Sequence, residues 1–558
     1  MATSKNKATP ENRIKRYLYL YSEDLRFVTG NPEVYKYYTV EKAKAVTELI
    51  EANKIDTILN IVEIVNSENT LPGRATLFFI LAVVARTNLV SVPDTVRNRV
   101  YTTALSIMRS TEEFFMFIRF CTLQKRSFPS GLNKLIGEFY LKKEPMDLVK
   151  EISKSKGFHS WTHKDLLKLS HCKTDDKLIS LIMTYVLFDL GKAESMAAEY
   201  PESESIISYL KKVTELKKCK DEKQISELIT ELGCTSLIQV PSHFHNSQAV
   251  WEALLPNLPF KELTAALPKL YKLGFLKANT TFQTKVVEAI TNANTLKSSK
   301  IHPVQVFIRL RNFEKGGKPL DPQFLEHMEK KALEMKLQDE NYKKPELTCE
   351  APKCPSIISA LHKALQISFH NLRSIGKRIM ITFDTVEKMK EPCLHCKNLS
   401  CFDAATIMTL SLLRTEKDVV VAAFNDDKPV TILSFEKNIT LNQALSQLKE
   451  LKSKFVMPSQ AIEWAQNNKK PIDVFIHFLY GTYSFAGMPK KLRSCEKTPS
   501  TLSSYRKKMS LPHTKLITFS LSSPRSVLVG NEPNTLEICG FSEEVPKVVE
   551  AFCRGLFN

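Results

Sequence analysis

Lys164, Lys168 and His171 are spaced i, i+4 and i+7, which sets three side chains in one stripe along a helix. The stretch that holds them is Trp161-Thr162-His163-Lys164-Asp165-Leu166-Leu167-Lys168-Leu169-Ser170-His171, and it carries its own start signal. Thr162 followed three residues later by Asp165 has the spacing of a capping box. With Thr162 as N-cap, Trp161 and Leu166 fall at the two positions of a hydrophobic staple. Leu166, Leu167 and Leu169 are then expected to point inward. Lys154, Lys156 and His159 lie just upstream. A capped helix presenting a row of cations suits phosphate. The same row also reads as an ordinary solvated face, and Trp161 as packing or as a platform for a base; the stretch alone leaves both pairs of readings open.

A second constellation is Cys393-Leu394-His395-Cys396, with Cys401 five residues on. C-x-x-C, a third Cys and a His are ingredients of a zinc site, with Cys349 and Cys354 as distant fourth ligands. Buried or loop thiols are the other reading. Phosphate-loop, dinucleotide, zinc-protease and nucleophile-elbow signatures do not occur. No acid/base constellation stands out, so neither an enzyme nor a cofactor is expected.

Composition narrows the partners. Lys plus Arg number 79 against 60 Asp plus Glu, a formal charge of +19 in 558 residues. That surplus favours nucleic acid or another polyanion, bound in a salt-dependent way. Only 16 glycines occur, well under the usual ~7%. The shortage argues for helices and against tight hairpins. Twelve scattered cysteines suit a reduced, intracellular chain. Met1–Arg16 lacks the apolar core of a signal peptide, and no apolar run reaches the ~18 residues of a membrane span.

Two textures must position these residues. From about Ala43 to Leu310 the apolar period is helical, as in Leu132, Leu135, Ile136 and Phe139, and predicts an α-solenoid of packed helix pairs without a strict repeat. Residues 313–355 read as an insertion or linker, with Glu326–Lys336 a helix inside it. After Ile375 apolar runs alternate with helical patterns. Arg378–Asp384, Asp418–Phe424, Asp473–Leu479 and Lys515–Leu521 predict buried parallel strands of a doubly wound α/β domain. Such sheets carry function at their carboxyl ends, here at Asp384, Asn425 and Tyr480. The boundaries expected are 1–345 for the helical domain and 370–558 for the α/β domain.

The chain resembles the TROVE-domain family of Ro ribonucleoproteins. The resemblance rests on Trp161–His171, Ile301-His302-Pro303, Arg414–Asp418, Phe485-Ala486-Gly487, Tyr505–Met509 and Ile538–Phe541, which occur in the family's order. It implies a ring-like α-solenoid of HEAT-like repeats followed by a von Willebrand factor A-like domain. It also implies a non-enzymatic monomer off the membrane, cytoplasmic and also nuclear, that takes part in RNA quality control. Its partners would be a small structured non-coding RNA of the Y type, the 3′ single-stranded ends of misfolded RNAs, and exonucleases. The RNA-binding set implied is Lys154, Lys164, Lys168 and His171, and Lys156, or else His159, is added here as a substitute for the arginine lost at Phe158. Phe158 stands where the family has an arginine, and Pro268-Lys269 where it has an Arg-Asn pair. A helical scaffold that has lost RNA binding is the competing expectation. In the α/β domain the family's D-x-S-x-S metal loop becomes Asp384-Thr385-Val386-Glu387-Lys388, and Val456 and Tyr480 fall at the remaining ligand positions. Too few oxygens remain for a hard cation, so this metal site is degenerate. Lys388 either pairs Asp384 in place of the metal or points to solvent.

Overall fold

The computed structural model describes residues 8–30, 38–87, 93–125, 127–320, 322–338, 351–426, 428, 430–481, 497–525 and 533–557. Contacts divide the chain into two compact units. One holds residues 1–25, 31–259 and 555–558; the other holds strand β1 (Arg26–Val28), through Gly30, and residues 260–554.

The first unit is helical. Its helices are α1 (Pro10–Leu20), α2 (Lys44–Glu51), α3 (Ile55–Glu68), α4 (Ala75–Arg86), α5 (Asp94–Ile107), α6 (Thr111–Gln124) and α7 (Ser130–Leu141). After α8 (Pro145–Lys154) come a small hairpin, β2 (Gly157–Phe158) and β3 (Trp161–Thr162), and α9 (His163–Ser170). Then follow α10 (Lys177–Leu187), α11 (Leu190–Ala197), α12 (Glu204–Lys218), α13 (Glu222–Leu232) and α14 (Gln248–Leu254). Near neighbours in sequence pack together: α4 on α6, α5 on α7, α7 on α9, and α11 on α12. Local packing of successive helices is what a helical-repeat array requires. From Thr76 to Arg86, α4 is buried on every side, as its uninterrupted apolar run predicts. Rings fill the space between helices. Phe114 and Phe139 stack with centroids 3.7 Å apart, and Phe79 and Phe120 meet edge to face. Tyr19 of α1 stacks on Phe557 at 4.9 Å, which ties the last residues of the chain to the first helix.

The second unit begins with helices α15 (Phe260–Lys272), α16 (Thr281–Thr291), α17 (Ala293–Ser298), α18 (Pro303–Glu314), α19 (Pro322–Gln338) and α20 (Pro355–Ser368). The expected helix within the insertion is therefore present and longer than its charge pattern suggested. The chain then enters the α/β part: β4 (Ile379–Phe383), β5 (Pro392–Cys393), β6 (Cys396–Ser400), α21 (Cys401–Thr415), β7 (Val419–Ala423), β8 (Thr431–Ile432), α22 (Leu441–Glu450), α23 (Ser459–Asn467), β9 (Val474–Leu479), α24 (Thr498–Lys508), β10 (Lys515–Ser520), β11 (Thr535–Cys539) and α25 (Val545–Arg554).

The main sheet has the order β1-β11-β10-β9-β4-β7-β8. Every pair is parallel except β7–β8. β4, β9 and β10 are buried along their whole length, which explains their unbroken apolar runs. Progress from β4 runs to β7 on one side and β9 on the other. The switch point therefore lies between β4 and β9, and Asp384 and Tyr480 follow those two strands. Among the described residues no helix is long and apolar enough to cross a membrane.

Candidate nucleic-acid interface and the strand-end loops

The capping box forms as its spacing predicts. Asp165 N–H donates to Thr162 Oγ1 at 3.1 Å, and Thr162 N–H donates to Asp165 Oδ2 at 3.0 Å. Lys164, Lys168 and His171 are exposed, with His171 ending the helix in the left-handed region at φ 50°. Lys154, the last residue of α8, and Lys156 are exposed as well. Among the described residues none of these four lysines makes an ion pair with a carboxylate. These four lysines and His171 thus sit in one short run, from the end of α8 across the hairpin to the end of α9.

Leu169 corrects the sequence expectation: it is 40% exposed rather than inward. The buried face of α9 is His163, Leu166 and Leu167. These sit at i, i+3 and i+4, which leaves Leu169 on the outer side. Burial holds His163 down at about 4, and its Nδ1 lies 2.8 Å from Tyr140 Oη. This histidine is a core residue. Trp161 packs edge to face on Phe128 at 5.4 Å, and Phe158 lies 6.0 Å from Phe115. Both aromatic residues therefore have packing roles.

The scarcity of glycine argued against tight hairpins, yet β2 and β3 are joined by two residues. His159 and Ser160 both have positive φ, at 51° and 68°, the conformation of a type I′ turn. The overlooked signal is Gly157-Phe158-His159-Ser160-Trp161, two aromatics flanking a two-residue polar tip. His163 N–H donates to Lys156 O at 3.0 Å, which locks the hairpin to the start of α9. His159 Nε2 lies 3.8 Å from Glu112 Oε1; burial lowers its pKa while Glu112 opposes that. A Cβ on Gly157 would lie 2.0 Å from Trp161 O and 2.6 Å from Thr162 Cα, both backbone atoms. Gly157→Ala is therefore expected to lower stability by on the order of 1–3 kcal/mol through overpacking. The denaturant midpoint and Trp fluorescence of the variant check this. An unchanged midpoint refutes the close approach.

The strand-end loop does not suit a hard cation. Asp384 is fully buried, and its two oxygens are used by backbone: Val386 N–H donates to Oδ1 and Tyr480 N–H to Oδ2, each at 2.9 Å. Val456 lies in an apolar cluster with Met380, Phe424 and Phe475, and Val386 packs against it. Tyr480 gives its hydroxyl hydrogen to Glu391, and burial with that bond pushes its pKa up to about 12. Lys388 is exposed, with its ammonium 6.0 Å from the Tyr480 ring centroid. The carboxylate thus ties two loops together where a metal would need open oxygens. Asp384→Ala should cost on the order of 3 kcal/mol by orphaning the buried Tyr480 N–H and the part-buried Val386 N–H. Millimolar Mg²⁺ or Mn²⁺ should leave the wild-type unfolding midpoint unmoved. A midpoint that rises with metal in wild type but not in Asp384→Ala would contradict this account.

The three clustered cysteines are buried thiols. Cys393 and Cys396 are buried and lie on the β5–β6 hairpin, and Cys401 is buried at the start of α21. Burial pushes the Cys393 thiol well up and Cys396 up to about 12. Cys393 donates to Ser400 O at 3.4 Å. His395 packs over Gly30, where a Cβ would meet its ring at 2.2 Å. Cys354 faces Leu276 O and Gln283, and Cys349 is outside the described residues. Among the described residues no group of three His, Cys, Asp or Glu could hold a metal. Pro268 sits inside α15, and burial lowers the pKa of Lys269 beside it.

Residues 236–377 match the TROVE domain model, and residues 378–553 match the Ro60 vWA domain. The chain is 22% identical to the RNA-binding protein RO60 of Caenorhabditis elegans, over 98% of this chain and 88% of that one. It is also 22% identical to the RNA-binding protein RO60 of Deinococcus radiodurans, over 98% and 93%. The crystal structure of the Deinococcus radiodurans RO (RSR) protein superposes with a TM-score of 0.79 at 20% identity, covering 98% of this chain and 99% of the other.

Proposed function

We propose that this chain, which belongs to the TROVE-domain Ro family, is a non-catalytic RNA-binding component of a ribonucleoprotein. The observation that carries the reading is the run of four exposed lysines, Lys154, Lys156, Lys164 and Lys168, and the exposed His171, which flank a hairpin and line a capped helix. Cations held on rigid backbone meet phosphates without a large ordering cost. The RNA is a small structured non-coding species of the Y type, held through its backbone. Misfolded RNAs engage by their 3′ single-stranded ends, which makes the chain a quality-control factor that hands RNA to exonucleases. It acts as a monomer in the cytoplasm and nucleus.

Two measurements test this. RNA crosslinked to the chain in its own cells should be a small discrete set of structured RNAs; recovery of none would leave a helical scaffold instead. In filter binding at matched salt, a stem with a single-stranded 3′ tail should bind more tightly than the blunt stem, because a flexible strand reaches charges that a stiff duplex cannot. Equal affinity would remove the 3′-end half of the reading and leave the stem-binding half.

A further inference from the structure

We propose that the cleft between α11, α12 and α13 is a second anion site, which takes the phosphate of a mononucleotide unit, free or at the end of an RNA strand. It stands on the cleft alone and does not depend on the stripe at residues 154–171. The cleft holds about 500 Å³, within the range of small-ligand sites. One face of α12 supplies Lys211, Thr214, Glu215 and Lys218, spaced i, i+3, i+4 and i+7. Lys220, just beyond that helix, completes the cationic rim, and Leu190 adds an apolar wall.

The charges in this cleft are arranged unequally. Lys211 is held by Glu194 at 3.1 Å, and its neighbour Lys212 by Glu231 at 2.9 Å. Lys218 and Lys220 have no carboxylate within ion-pair distance among the described residues. Glu215 accepts a hydrogen bond from the Gln224 amide, and both side chains line the cleft. Thr214 Oγ1 is buried in the same wall with no hydrogen-bond partner among the described residues. A buried hydroxyl without a partner is costly. Two ammonium groups without a carboxylate partner among the described residues suit the charge of a phosphate monoester. Lys218 also lies in the last turn of α12, where a cation offsets the helix dipole. That role does not explain Lys220 or the buried hydroxyl.

Titration calorimetry of the full chain with AMP, adenosine and inorganic phosphate is the test. AMP should bind saturably and adenosine about tenfold or more weakly, the size expected for losing one strong charged contact. K218A/K220A, both at exposed positions, should weaken AMP by at least about tenfold. T214V should weaken it by a few-fold, and K154A/K164A/K168A should leave it unchanged. Displacement of AMP by a 5′-phosphorylated but not a 5′-hydroxyl oligonucleotide assigns the ligand to strand ends. Displacement by neither assigns it to free nucleotides. The proposal is overturned by equal binding of AMP and adenosine, by AMP binding intact in K218A/K220A, by loss of AMP binding in K154A/K164A/K168A, or by equal displacement with both oligonucleotides.

Discussion

Replacing Lys154, Lys156, Lys164 and Lys168 together by alanine should lower affinity for a structured RNA by on the order of a thousandfold at 0.1 M salt. The figure follows from counterion release. Each phosphate contact contributes a slope of about −0.9 in log affinity against log salt. Four contacts, referred to 1 M salt where that contribution vanishes, amount to about 3.6 decades at 0.1 M. The salt slope itself should fall by about four. All four side chains are exposed, so the variant should keep its fold. Circular dichroism establishes that, and filter binding across a salt series reads both quantities. A folded variant with wild-type affinity and slope would refute the interface.

Below about pH 5 each unit of the chain should lose several kcal/mol of stability, and histidines held neutral in the fold are the reason. Burial holds His477 down at about 3, and His163 and His302 at about 4. The folded state therefore excludes protons that the unfolded chain accepts below about pH 6.5. The corresponding stability is fully present above that pH and declines as the pH falls toward 4. With a tenfold change in proton affinity equal to about 1.4 kcal/mol, each of the three histidines removes about 3 kcal/mol by pH 4. His163 lies in one unit and His302 and His477 in the other, so the loss is about 3 kcal/mol in the first and about 6 kcal/mol in the second. The local surroundings agree. Neither His477 ring nitrogen has a hydrogen-bond partner among the described residues, and Phe424 and Phe475 lie 6.3 Å from its ring. His302 Nδ1 accepts the Val304 N–H at 3.1 Å, a helix cap that a proton on that nitrogen would abolish. Urea midpoints at pH 7, 5.5 and 4.5 measure the decline, and His477→Phe should flatten it in the second unit. A midpoint independent of pH would refute the burial of neutral imidazoles.

Much of the architecture was legible in local chemistry. The box of Thr162 and Asp165 and the helix that follows depend on contacts within four residues, so the sequence states them directly. The runs at 379–383, 474–479 and 515–520 read as strands because both faces of a parallel sheet are covered, and no polar alternation survives. The exposure of Lys164 and Lys168, at i and i+4 on the helix, follows from helix periodicity alone.

Tertiary structure decided the rest. Arg26–Val28 has only three residues and no pattern of its own. It is a strand because β11 offers it a parallel edge, and Thr29 reaches the carbonyl of Cys539, 510 positions away. Asp384 looked like a remnant metal ligand. Its task is set by the N–H of Tyr480, 96 positions away, which only strand pairing brings near. Register also aligns Thr382, His477 and Thr518 across three neighbouring strands, which places an imidazole in the middle of a buried sheet. A one-chain reading sees spacing along the backbone. Pairing partners, and hence which carboxylate is already occupied and which lysine is left unpaired, are fixed only when distant segments compete for the same hydrogen bonds.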